Sequence, residues 1–138
     1  MRWPFKEDPS EPSGIPRPFV PVRLAGLSET AFLSLVDSGS LGNRFGRWVA
    51  DTVGLDLGGA EESRLGLGGF HTTALTVPVE LRLGEAVWHA PVSFCDPWPI
   101  GFQILGQEGF FRFFRVTFDA SSYWLDCAPH GESPGVRA

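Results

Sequence analysis

Only two cysteines, Cys95 and Cys127, occur in the 138 residues. That is too few for a disulfide framework, so two reduced thiols are the expected state. No histidine cluster accompanies them, which argues against a zinc site, and no other metal or cofactor is expected. Of the three histidines, His71 reads as a solvated hairpin residue. Neither His89 nor His130 has a serine or carboxylate placed to suggest a triad, which disfavours serine-hydrolase chemistry. Positive charge is scarce too. Eleven Lys and Arg stand against sixteen Asp and Glu, a formal net charge of -5. The chain therefore carries no electrostatic footprint for nucleic acid or anionic membrane, and Arg112 and Arg115 alone do not form a basic stripe. No apolar run approaches the roughly 20 residues that span a bilayer. The opening Met1-Arg2-Trp3-Pro4-Phe5-Lys6-Glu7-Asp8-Pro9 holds no apolar signal core, and the expected location is cytoplasmic.

Helical periodicity is equally sparse. With 17 glycines, 12 prolines and 43% hydrophobic residues, the composition fits one all-β domain of short strands and turns. Residues 1–18 carry five prolines and are expected to form a loosely ordered arm. The domain proper is expected over 19–127, with a polar tail over 128–138. Phe19–Leu24 and Ala31–Val36 read as strands. Arg44–Val53 has apolar spacing suited to one short helix, capped by Asn43 and stopped by Gly54. Glu62–Leu67, Thr72–Leu83 and Ala86–Phe94 read as strands, the first two joined at Gly68-Gly69 and the last two at Gly84-Glu85. Gln107–Phe114 suits a helical turn or two. Arg115–Asp119 and Tyr123–Asp126 suit a closing hairpin around Ala120-Ser121-Ser122.

The segment that points to chemistry is Leu35-Val36-Asp37-Ser38-Gly39-Ser40. It places a carboxylate where a buried apolar strand emerges into a turn. Gly39 lets the backbone bend tightly, and Ser38 supplies a hydroxyl that donates and accepts. Asp-Ser-Gly is also ordinary turn chemistry. A second apolar run ending in glycine, Ile104-Leu105-Gly106, leads into Gly109-Phe110-Phe111-Arg112-Phe113-Phe114, whose aromatic residues also suit core packing. Two such strand ends can lie beside each other and hold a loop between them. Between them in sequence lies the glycine-rich hairpin Leu65–Thr73. With Phe70 beside its Gly68-Gly69 tip, it suits either a mobile lid or a plain turn.

The order of apolar strand, Asp37-Ser38-Gly39-Ser40, glycine-rich hairpin and Ile104-Leu105-Gly106 resembles the retropepsin family of aspartic proteases. Phe110-Phe111 and Val116-Thr117-Phe118-Asp119 are similar to its bacterial single-domain members. The resemblance covers about residues 19–126. It implies a closed β-barrel half-molecule with one or two short helices, working as a homodimer. It implies that Asp37 is catalytic, that Ser38 bonds across the two-fold axis, and that Gly39, Ser40 and Gly106 support the site. It makes Gly68, Gly69 and Phe70 part of a substrate-binding flap. Two positions depart from the retroviral pattern. Leu41 and Gln107 stand where retroviral members often have an acidic residue and an arginine that form an ion pair. Both partners are absent together, so no unpaired charge is left, but the retroviral dimer contacts do not carry over.

Peptide hydrolysis by this route needs two carboxylates sharing one proton. The chain has one Asp-Ser-Gly turn; Asp119 and Asp126 lack the glycine and read as strand-end or surface residues. The second carboxylate must then come from another chain, and a C₂ homodimer supplies it by symmetry. Such a dimer would hydrolyse polypeptide substrates. The alternative is a catalytically silent β domain of the same fold that binds a peptide or dimerises, since fold does not dictate function.

Overall fold

The computed structural model describes residues 1–11, 13–131 and 136. Six strands close into a barrel: β2 (Phe19–Leu24), β3 (Phe32–Val36), β4 (Asn43–Gly46), β6 (Phe70–Leu83), β7 (Ala86–Asp96) and β8 (Gln103–Leu105). Their order is β2-β3-β8-β4-β7-β6, and pairing of Arg23 and Leu24 in β2 with Arg82 and Leu81 in β6 completes the ring. Closure removes the exposed edges that an open sheet would present. Strand β5 (Glu61–Leu67) extends from the barrel as the outer arm of the β5–β6 hairpin. A separate three-stranded sheet runs β1 (Arg2–Pro4), β10 (Trp124–Pro129), β9 (Phe114–Asp119).

Residues buried from several directions hold this barrel. On β6, Val79, Leu81 and Leu83 point inward at alternate positions. On β7, Trp88, Ala90, Val92 and Phe94 do the same. Gly84 takes φ +58 in the two-residue turn between them, as the right-handed twist of a tight hairpin requires. The indole of Trp88 meets Phe110 and Phe114 edge-on at centroid distances of 5.7 and 4.8 Å. Those two rings stack on each other at 4.7 Å. The aromatic patch that follows Ile104-Leu105-Gly106 thus packs into the core, and it ties the segment beyond Gly106 to β7.

Three expectations need correction. Asn43–Gly46 is a strand and not the start of a helix; α1 spans Arg47–Val53. Asn43 caps nothing there, and Gly46 occupies the N-cap. The cause is long-range. β4 runs parallel to β7, with Phe45 opposite Phe94, and that pairing outweighs the local apolar spacing. The helix does end at Gly54, which takes φ +74. Second, the arm is tied down at its beginning. β1 pairs with β10, the Met1 ammonium donates to the Cys127 carbonyl at 3.0 Å and lies 3.4 Å from Asp126, and Arg2 covers the ring of Trp124. Further along, Lys6 and Arg17 form an isolated bridge. Third, β10 continues to Pro129, so the tail begins later than residue 128. Most of that tail lies outside the described residues.

Candidate active site

Strands β3 and β8 lie side by side and parallel, with Ser34 opposite Gln103, Leu35 opposite Ile104 and Val36 opposite Leu105. Their ends therefore emerge level. Asp37 follows one strand and Gly106 the other, and the Asp37 N–H donates to the Leu105 carbonyl at 3.0 Å. The two strand-then-glycine units of the sequence are neighbours in space.

Asp37 is half-buried, with Ser38 and Gly39 exposed beside it. Its Oδ1 accepts the Gly39 N–H at 2.8 Å, and its carbonyl accepts the Ser40 N–H at 3.2 Å. The turn thereby fixes one carboxylate oxygen and holds the carboxyl group at the strand end. Ser40 Oγ donates to the Gly42 carbonyl at 2.8 Å, closing the loop on itself. The segment after Gly106 then grips this loop from outside. Gln107 N–H donates to the Ser40 carbonyl at 2.9 Å and Glu108 N–H to that of Leu41 at 2.8 Å.

Gly106 is required for that grip. Its backbone is extended, but a Cβ would collide with the Gly42 carbonyl and lie 2.7 Å from the Ser40 oxygen. The wide helical turn over Gln107–Phe111 starts there, with the Phe111 N–H reaching back to the Gly106 carbonyl at 3.2 Å.

Two positioning residues were not singled out for the site by sequence. Asn43, only 1% exposed, accepts the Gly106 N–H on Oδ1 and donates from Nδ2 to the Gly109 carbonyl, both at 3.1 Å. The same carbonyl accepts the Trp88 indole N–H at 2.9 Å. Gln107 donates from Nε2 to the Ser38 carbonyl at 2.6 Å. This glutamine thus supports the Asp37 loop with an uncharged bond. Local pattern assigned Asn43 to a helix cap, because its partners Gly106 and Gly109 lie more than sixty residues away and leave no local signal.

The glycine-rich hairpin forms with Gly68 and Gly69 at φ +50 and +90, a two-residue turn that needs positive φ at both positions. Phe70, just past the tip, meets Trp98 edge-on at 6.4 Å. Thr72 Oγ1 donates to the Pro97 carbonyl at 2.6 Å. Trp98 stands in the loop leading from β7 into β8, so the hairpin rests on the segment that delivers Gly106.

The two other carboxylates weighed for catalysis, and the two thiols, are engaged or buried elsewhere. Asp119 Oδ1 accepts from Ser121 Oγ and the Ser122 N–H within the β9–β10 turn, and Asp126 faces the chain's own ammonium group. Burial pushes the Cys95 thiol up to about 11, an effect Arg44 partly offsets, and the Cys127 thiol up to about 12. Neither is a thiolate nucleophile at neutral pH.

No family model and no curated protein matches the sequence. Solved structures do match the fold. The retroviral protease-like domain of Ddi1 from Leishmania major is similar at a TM-score of 0.59 and 14% identity, over 87% of this chain and 91% of that one. A retropepsin-like aspartic protease from Rickettsia conorii is similar at 0.60 and 13%, over 91% and 97%. At these identities the likeness shows the architecture: a single-domain, retropepsin-like β-barrel.

Proposed function

We propose that this chain is one half of an aspartic endopeptidase, in which Asp37 of two copies meets on a two-fold axis. The observation that carries this reading is the interlocked turn at the ends of β3 and β8. It holds one carboxylate at the surface and leaves it without a second from its own chain's Asp119 or Asp126. Leu41, four residues on, is 70% exposed, an apolar side chain suited to cover by another copy.

In such a pair, like charges at roughly 3 Å cannot both ionise, so one proton is shared. The ionised carboxylate takes a proton from water as the water oxygen bonds to the scissile carbonyl carbon. The protonated carboxyl donates to the carbonyl oxygen. Collapse of the resulting diol breaks the C–N bond, and the leaving nitrogen takes up a proton. The β5–β6 hairpin would cover the substrate, with Phe70 moving from Trp98.

Two outcomes follow. Activity per chain should fall on dilution through the dimer dissociation constant, in step with the dimer fraction seen by sedimentation. A fully active monomer would contradict the shared site. The pH profile should be a bell. A neighbouring anion raises the second ionisation step of the pair, so loss on the alkaline side reports departure of the shared proton. Protonation of both carboxylates causes the loss at low pH. The optimum should therefore lie on the acid side of neutrality. Cleavage of a quenched peptide from about pH 3 to about pH 9, with dimer content measured in each buffer, tests this. An alkaline plateau with the dimer intact would refute the shared-proton mechanism.

A further inference from the structure

Beside the Asp37 loop lies a cavity of about 310 Å³, within the lower range of ligand-sized sites. Leu41 and Gly42 of that loop form one wall, and Ser63 and Thr76 of the β5–β6 hairpin form another. Arg44 and Ser93, facing strands of the barrel, also line it. We propose that Arg44 makes this cavity a subsite for an acidic side chain of the substrate, so that the preferred peptides carry Asp or Glu near the cleaved bond. This rests on the protease reading of Asp37.

Arg44 is half-buried and has no carboxylate within ion-pair distance among the described residues. Its one hydrogen bond there runs from Nη1 to Ser93 Oγ at 3.0 Å. Ser93 Oγ is in turn 2.7 Å from Thr76 Oγ1, which fixes the hydroxyl against which the guanidinium rests. Gly42 leaves the space the group occupies, since a Cβ there would lie 2.9 Å from Nη1. None of the remaining guanidinium nitrogens is a buried orphan, so they stay open to solvent-filled space. Desolvation pulls the arginine below its ordinary value, with the nearby Cys95 sulfur a smaller opposing influence.

A guanidinium with unused, fork-shaped donors matches a carboxylate better than any neutral group. Two carboxylates also line the cavity and act against an incoming anion. Glu108 is exposed and already bonded to Arg112 at 3.0 Å, and Glu61 is exposed on β5. Both are screened by water, whereas Arg44 is partly withdrawn from it, so the interior of the cavity remains cationic.

The test uses quenched peptides in which Glu or its isostere Gln is scanned through the positions flanking the cleaved bond. At one position the wild-type dimer should cut the Glu peptide about ten- to a hundredfold faster in kcat/KM, the worth of a charged hydrogen bond. Arg44→Gln should erase that preference while still cutting the Gln peptide. Arg44→Lys, which keeps the charge but not the fork, should retain a smaller preference and serves if the glutamine variant folds poorly. Equal rates for Glu and Gln peptides at every position, or a preference that survives Arg44→Gln in folded protein, would overturn the assignment. Binding of the same peptides to Asp37→Asn protein separates the two claims. If wild type cuts nothing, yet the variant binds Glu peptides better than Gln peptides through Arg44, the protease reading fails and the acidic subsite stands. If neither binding nor cleavage discriminates, the subsite fails.

Discussion

Asp37→Asn should abolish peptide cleavage while leaving the fold unchanged. The asparagine side chain is the same size, and its Oδ1 still accepts the Gly39 N–H that shapes the turn. What it loses is the ability to take or give a proton. General acid–base catalysis contributes about a hundred- to ten-thousandfold, and in a shared site both copies lose it at once. The rate should therefore fall by at least about a thousandfold. The melting transition should stay within about 0.5 kcal/mol of wild type, as for other mild surface changes. Quenched-peptide turnover and circular dichroism on the same preparations check both halves. Normal cleavage by the variant would remove Asp37 from the chemistry.

The second large effect is expected at Gly106. Alanine there meets no φ penalty, because the backbone is extended at φ -118 and ψ -169. It meets the carbonyl oxygens of Gly42 and Ser40 instead. Backbone on both sides cannot yield as a flexible side chain would, so the strand end and the Asp37 loop must part. Overpacking of this kind costs about 1–3 kcal/mol. The Gln107–Ser40 and Glu108–Leu41 bonds lengthen with it, so turnover per folded molecule should drop as well. Gly66→Ala is the control: its Cβ would approach only His71, at 3.8 Å, and stability should be unchanged or slightly higher. Urea unfolding of the two variants against wild type reads the difference. Equal stability would mean that the Gly106 contact is not the constraint described.

How much of this was legible in the sequence follows the range of the interactions. Asp37-Ser38-Gly39 announces itself because turn chemistry is local, and so do the Gly54 stop and the Gly68-Gly69 and Gly84 turns. The mainly β architecture was readable from strand-length apolar runs between such turns, whereas its closure into a barrel was expected only from the family resemblance. The β4 strand was not, because Asn43-Arg44-Phe45-Gly46 has little strand character of its own and is defined by a parallel partner some fifty residues away. That single error hid both Asn43 as the brace of Gly106 and Arg44 as a cavity residue, since both were absorbed into a helix. The N-terminal arm was read as loose for the same reason. Its prolines are visible locally, whereas its partner, β10, lies at the other end of the chain. Gln107 was recognised as a departure from the retroviral pattern, yet its bond to the Ser38 carbonyl depends on the meeting of two loops that no spacing rule encodes.

A subunit-mixing experiment tests the shared site most directly. Wild-type and Asp37→Asn chains are combined at constant total concentration, above the dimer midpoint, and allowed to exchange before turnover is measured. If each active site takes one Asp37 from each of two copies, mixed dimers are inactive and the rate follows the square of the wild-type fraction. An equal mixture then retains about a quarter of the activity. A rate proportional to the wild-type fraction, with about half remaining in the equal mixture, would contradict the shared site and place the whole catalytic centre within one chain.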